Sequence, residues 1–252
     1  MIFLQTIYTG TAGWTIPAQH RESFSASGSH LERYAQVLSA VEVNSSFYRP
    51  HQYKTWARWA ASTPEEFRFS VKIPKSITHE ARLTNCDEQV IRLKSEASGL
   101  GEKLGVLLVQ LPPSLKFDLS VAERFFDLLT LSLDAPIVIE PRHASWFSDA
   151  ANKLVEQHQI CRASVDPSPI DAPLVGIHSN TLAYFRLHGS PTIYYSNYSS
   201  DALDLIANEI MDASRHSQHV WCIFDNTAEG HATSNAIEIA QRVSVHSSNR
   251  DD

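Results

Sequence analysis

The sequence predicts an α/β fold, a single (β/α)8 TIM barrel with an irregular or missing helix after its sixth strand. Three observations carry that expectation. Short strand-like runs alternate with helical periods eight times over 252 residues, at roughly 31 residues per unit. Hydrophobic residues make up 43% of the chain, enough for a large core. The turn after the first strand reads GTAGW and lacks the Gly-x-Gly-x-x-Gly spacing of an open, doubly wound dinucleotide fold.

The first strand is expected from Ile7 to Trp14, and Ser29 with Glu32 forms a capping box that opens a helix to about Leu38. Ala40 to Phe47 reads as the second strand, with Val41 and Val43 on one face and Glu42, Asn44 and Ser46 on the other. Tyr53 to Ala61 has helical spacing, and the RFSVKIP run is the third strand, with Phe69, Val71 and Ile73 opposite Ser70 and Lys72. A helix over Asn85 to Ser98 ends at Gly99 and Gly101. LGVLLVQL is the fourth strand, stopped by Pro112 and Pro113, and Ser120 with Glu123 reads as the capping box of the next helix.

The fifth strand, PIVIE, ends in Glu140 and Arg142 on one face, with Pro141 between them. A helix follows from about Ser148 to His158, then a sixth strand from Arg162 to Asp166. The next stretch, DPSPIDAPLVGIHSN, has three prolines and little helical period. LAYFRLHG is the seventh strand, and VWCIFDN the eighth, with helices over Ser200 to Ser214 and Ser234 to Val245. The domain is expected over residues 1–246, with a frayed polar tail over 247–252.

Net charge is −7, with both signs interspersed, which disfavours a duplex nucleic-acid binder driven by phosphate attraction. No run approaches the apolar length of a membrane span, and the N-terminus lacks the pattern of a secretory signal. Cys86, Cys161 and Cys222 are odd in number and widely spaced, which suits a reducing cytoplasm and argues against a structural zinc site. The chain is therefore expected to be soluble and cytoplasmic.

In a barrel the outer strand faces pack on helices, so the polar parity of each strand should point inward. That rule selects Glu42, Asn44, Lys72, Glu140, Arg142, Arg186 and His188, joined by Gln110, Asp166 and Asn226. Charges gathered at strand ends are costly to bury and point to a functional pocket. Three carboxylates (Glu42, Glu140, Asp166) face three cations (Lys72, Arg142, Arg186), a balance that favours an organic anion over a resident metal. Glu140 or Glu42 is then the expected general base, and His188 or Lys72 the proton donor. Aromatics crowd the same rim, among them Trp14, Phe47, Tyr48, Trp146, Phe147, Tyr194, Tyr195 and Tyr198.

The segments VEVNSSFYRP, FSVKIPKSITHEARL, LLVQLPPSLKFD, IEPRHASWF, FRLHG and FDNTAEGHATSNA resemble, in order, those of the YecE-like family (domain of unknown function seventy-two). The resemblance spans Gly10 to about Ala240 and implies a TIM barrel with a polar cluster at the C-terminal face of its strands. That implied cluster comprises Glu42, Asn44, Lys72, Gln110, Glu140, Arg142, Trp146, Asp166, Arg186, His188, Gly189 and Asn226, with Thr78 and His79 in the third loop. Asp225 departs from the family pattern, in which that position is often Asn.

The expected function is an enzyme using acid/base chemistry on a small anionic substrate, phosphate- or carboxylate-bearing and with nucleotide-like compounds included, and no cofactor is predicted. One alternative is a divalent-metal-dependent hydrolase or isomerase of the xylose-isomerase-like kind, with Glu42, Glu140, Asp166 and His188 as ligands. The other is a non-catalytic nucleotide or nucleic-acid binding module. The sequence does not set the oligomeric state.

Overall fold

The computed structural model describes residues 5–170, 174 and 176–248. Its strands run parallel: β1 (Thr6–Ala12), β2 (Ala40–Val43), β3 (Arg68–Lys72), β4 (Leu104–Gln110), β5 (Ile137–Glu140), β6 (Cys161–Arg162), β7 (Ser164–Asp166), β8 (Leu182–Leu187) and β9 (His219–Phe224). β1 to β6 lie side by side in sequence order, and β1 also pairs with β9, which pairs with β8. β6 and β7 occupy the place of the single sixth strand the sequence predicts. β6 pairs with β5 and β7 with β8, so the two halves complete an eight-position barrel. The break has a local cause: the backbone N–H and C=O of Arg162 bond to Ile177 in an antiparallel bridge, which takes them out of the parallel ladder.

The helices are α1 (His30–Tyr34), α2 (Ser45–Tyr48), α3 (Tyr53–Ala61), α4 (Asp87–Ala97), α5 (Leu119–Ser132), α6 (Asp149–Gln157), α7 (Ser200–Ala213) and α8 (His231–Ser248). Ser29 and Glu32 form the expected capping box, but α1 stops at Tyr34, before the expected Leu38. The second strand also ends early: Ser46 Oγ donates to the carbonyls of Val43 (2.8 Å) and Lys72 (2.6 Å), folding the chain into α2 instead of on to Phe47. α5 is capped by Asp118, whose carboxylate accepts from Val121 N at 3.0 Å and from the Ser120 hydroxyl at 2.8 Å. Ser120 therefore lies inside the first turn, and no Ser120–Glu123 box forms. α8 begins three residues before the expected Ser234 and runs on through Ser248, so of the expected tail only residues 249–252 remain, outside the described residues. Between Asp166 and Leu182 the described residues contain no helix, as expected. No described helix is long and apolar enough to cross a membrane.

Two apolar layers fix the direction of every side chain at the mouth. The outer layer, between strands and helices, includes Val41, Val43, Val71, Val109, Ile139, Phe185 and Phe224. The inner one fills the barrel with Tyr8, Val106, Leu108, Val138, Ala163, Val165, Trp221 and Ile223. This matches the expected parity on β2, β3, β4, β5 and β8. It reverses two expectations. Ala163 and Val165 point inward, which turns Asp166 outward, and Trp221 with Ile223 inside makes Asp225 the inward residue instead of Asn226.

Candidate functional site

Four strand ends place one charged group each at the same level of the barrel. Arg186, from β8, lies at the centre. Its Nε and Nη2 grip Glu42 at 2.9 and 2.7 Å, Nη1 reaches Glu140 Oε2 at 3.1 Å, and Nη2 also meets Asp225 Oδ2 at 2.9 Å. Glu42, Glu140 and Arg186 are fully buried. Desolvating such charges costs several kcal/mol each, offset here by fork-shaped contacts to partners of opposite sign. Burial pulls the Arg186 pKa down, but Asp225, Glu42 and Glu140 outweigh it and hold the guanidinium well above its ordinary value. For Glu140 burial pushes up, and Arg186, Arg142 and His188 together hold it well below the carboxylate range.

His188 shares the β8 parity two residues on. Its Nδ1 lies 3.0 Å from Asp225 Oδ2, and its Nε2 lies 2.8 Å from Arg142 Nη2. Nε2 also stands 3.2 Å from Glu140 Oε1. A guanidinium can only donate, so the Arg142 contact is served by the tautomer with Nε2 accepting and the ring proton on Nδ1 facing Asp225, whereas a proton on Nε2 would face Glu140. Arg142 Nε donates to Glu140 Oε1 at 2.5 Å, and Gln110 Nε2 approaches the same oxygen at 3.5 Å. Beneath this layer the Tyr184 hydroxyl donates to Glu42 Oε2 at 3.0 Å and lies 2.9 Å from Ser70 Oγ. Both oxygens of Glu42 and both of Glu140 thus have partners.

The layer above is different. Lys72, at the end of β3, holds Nζ 4.4 Å from the centre of the Phe47 ring, and that nitrogen makes no hydrogen bond or ion pair among the described residues. Burial lowers its pKa, Arg186 lowers it further, and Glu42, Glu140 and Asp225 offset only part of this. Asn44 continues the inward parity of β2, and its Oδ1 is buried without a partner. Gly189, at φ +90°, turns the chain after His188, and a Cβ there would stand 2.8 Å from the Ser196 carbonyl. The turn brings Tyr194 back across the His188 ring, edge to face at 5.8 Å. Tyr48 stands at the rim, 72% exposed.

A family model described as Protein of unknown function DUF72 matches residues 8–251. The chain belongs to the DUF72 family. It is 25% identical over 233 residues to the UPF0759 protein YecE of Escherichia coli K12, covering 90% of this chain and 83% of that one. It is 24% identical to the UPF0759 protein YunF of Bacillus subtilis, covering 95% of each. Among solved structures it is similar to a DUF72 family protein of Thermotoga maritima (TM-score 0.80, 22% identity, 95% of this chain and 100% of that one). A DUF72 family protein of Enterococcus faecalis gives the same TM-score of 0.80 at 21% identity, covering 95% and 96%. These structural likenesses establish the TIM-type fold.

In this DUF72 chain the structure gathers Glu42, Lys72, Gln110, Glu140, Arg142, Arg186 and His188 at the mouth. It does not bring in Asp166, whose carboxylate accepts from the Tyr198 hydroxyl at 2.7 Å on the outer side. Asn226 bonds Ser196 O and Asn235 Oδ1, both at 2.9 Å, and ties the eighth loop to α8. Trp146 is a core residue, buried against Phe117 and Phe126, with its indole N–H on Leu115 O. Thr78 is buried and paired with His79 at 2.8 Å, while the His79 ring reaches the rim beside Phe47.

The residue that sequence reasoning missed is Asp225, which takes the third carboxylate position assigned to Asp166. Alternation counted from Trp221 would have found it. With Asp166 outside, the four-ligand metal set is not assembled, and Arg142 and Arg186 occupy the lone pairs of Glu42 and Glu140. Among the described residues no group of three or more His, Cys, Asp or Glu is arranged to hold a metal ion.

Proposed function

We propose that this DUF72 protein is an enzyme that binds a small carboxylate- or phosphate-bearing compound at the barrel mouth and acts on it by acid/base chemistry. One observation carries the reading: both oxygens of Glu42 and both of Glu140 already have partners, whereas the uncommitted charged groups above them are cationic. Lys72 Nζ lacks a counter-ion, and Arg142, partly exposed, has Nη1 without a hydrogen bond among the described residues. An incoming anion would supply what both lack.

In this reading Arg142 and Lys72 hold the anion, with Asn44, Gln110, His79 and Tyr48 around it. The Asp225–His188 pair moves the proton: an anion that drew Arg142 upward would free His188 Nε2 as a base. Glu140, expected as the base, is better suited to holding the layer in shape, because its donors keep it ionised and it has no face on the mouth. The exposed rings of Tyr48, Tyr194 and Tyr195 support a second reading, a nucleotide-binding module in which a base stacks at the rim.

The test is thermal shift with inorganic phosphate, small mono- and dicarboxylates and nucleoside monophosphates, on the wild type and on Arg142→Gln. Stabilisation by phosphate or carboxylate that the variant loses supports the anion site. A response confined to nucleotides, lost in Tyr48→Ala, would move the reading to the second one. No response to any of them would remove both.

A further inference from the structure

The described lysines divide by what surrounds the ammonium. Lys75 pairs with Glu80 at 3.1 Å and Lys94 with Asp134 at 3.3 Å, both in water. Lys103 is held by the carbonyls of Ala60 and Thr63 at 2.6 and 2.7 Å. Lys54, Lys116 and Lys153 are exposed. Lys72 differs from all of them: only 8% of its surface is open, its nitrogen has no hydrogen-bond partner, and the Arg186 guanidinium is a like charge nearby. An ammonium so largely withdrawn from water, with no protein partner, is held at a cost. For gripping an anion alone, an arginine fork would serve better, since lysine's distinctive property is a proton it can lose.

We propose that Lys72 is a nucleophile, whose amine condenses with the carbonyl group of an oxo compound that also bears a carboxylate or phosphate held by Arg142. This rests on the anion-binding reading above and names its substrate class. The position suits the task, because Lys72 ends a barrel strand on its C-terminal side, with its Nζ against the Phe47 ring and 8% of its surface open. Burial beside a second cation is one of the ways a lysine becomes nucleophilic near neutrality. The neighbours act in the same direction, with desolvation leading and Arg186 following.

The step balances without a further reagent. Lys72 loses one proton, its nitrogen pair forms a bond to the carbonyl carbon, and the C=O π pair moves to oxygen, which is protonated. The carbinolamine then gives up its hydroxyl with a second proton as water. Starting from the ammonium, one N–H stays on the iminium, two hydrogens leave in the water, and the charge remains +1. The iminium draws electrons from the adjacent carbon, where a proton or a carbon–carbon bond can then be released towards the His188–Asp225 side of the mouth.

The experiment incubates the protein with pyruvate or, separately, with dihydroxyacetone phosphate. Sodium borohydride then reduces any iminium to a stable secondary amine, and peptide mass mapping locates it. We expect a single modified peptide carrying Lys72, labelled at least about tenfold over any other lysine near neutral pH. Pyruvate labelling alone would assign a carboxylate substrate, and dihydroxyacetone phosphate labelling alone a phosphate one. Excess inorganic phosphate should suppress the label, and Lys72→Arg, checked for folding by circular dichroism, should abolish it. Labelling spread evenly over the surface lysines, or equal in Lys72→Arg, overturns the proposal, as does no label with either compound. If phosphate still raises the melting temperature in that last case, the anion site stands and only the imine falls. If it does not, both fall.

Discussion

The two levels of the barrel mouth use the same residue types to opposite ends. In the lower level Arg186 touches three carboxylates and His188 completes the ring, with every charged group answered and almost no surface open. In the upper level Lys72 and Asn44 keep a buried polar atom or a charge without a partner. The difference shows that polarity inside a barrel has two meanings. A saturated network sets geometry, whereas an unsaturated one marks where a ligand completes the structure.

Arg186→Met tests the contrast most severely. It strands three buried carboxylates and should cost about 3–5 kcal/mol in urea unfolding. A loss below about 1 kcal/mol would show that the lower level is not the keystone claimed for it. Glu140→Gln keeps the volume but removes the ionic partner of Arg142 and Arg186, and should cost about 2 kcal/mol at neutral pH.

That variant should also flatten the acid limb of the stability curve. Glu140 and Asp225 are held below their ordinary values in the folded state, with burial opposing and Arg186 leading the effect. Their contribution is complete above the unfolded carboxylate pKa of about 4 and is lost as pH falls towards the folded value. Melting temperatures measured downward from pH 6 should therefore drop more gently in Glu140→Gln than in wild type.

Lys72→Met should move the other way, leaving stability within about 1 kcal/mol of wild type or above it, while erasing the phosphate-induced thermal shift. Because the folded Lys72 pKa is lowered, wild type should gain stability as pH rises from the folded value to the unfolded one near 10.4, and the variant should lack that rise. A large destabilisation would merge the two levels into one structural network. Tyr48→Ala, at the exposed rim, should leave stability within about 0.5 kcal/mol and change ligand affinity by a few-fold at most, read by titration.

Much of this was readable in the chain itself. On β2, β3, β5 and β8, one face is aliphatic and the other polar, so the polar face could only look inward, and Glu42, Lys72, Glu140, Arg142, Arg186 and His188 follow. Where a strand is apolar on both faces, the rule has nothing to act on. VWCIFDN is of that kind, and the rule there admits Asn226 and overlooks Asp225. In ASVD the rule fails for another reason: its polar face, Ser164 and Asp166, turns outward, where Ser164 Oγ lies 3.0 Å from His178 Nε2 and Asp166 meets Tyr198. Trp146 misled for another reason: it lies beside Arg142 in sequence, but its indole turns into the outer core, a direction set by the short 3₁₀ turn Ala144–Phe147. The capping of α5 by Asp118 was hidden by a closely spaced serine able to play the same part.

The Arg186 junction also bears on the order in which the chain can assemble. Arg186 and Glu42 are separated by 144 residues, and Asp225 is supplied only by the last strand. A nascent chain that has made β1 to β5 therefore carries Glu42 and Glu140 as ordinary hydrated carboxylates, with no guanidinium to draw them inward. The ring can close only after the final third has been synthesised, when one arginine recruits both earlier acids and one late one. Such distant contacts are slow to form and strongly cooperative. Fragments ending before β8 should accordingly stay open and protease-sensitive, however well their individual helices form.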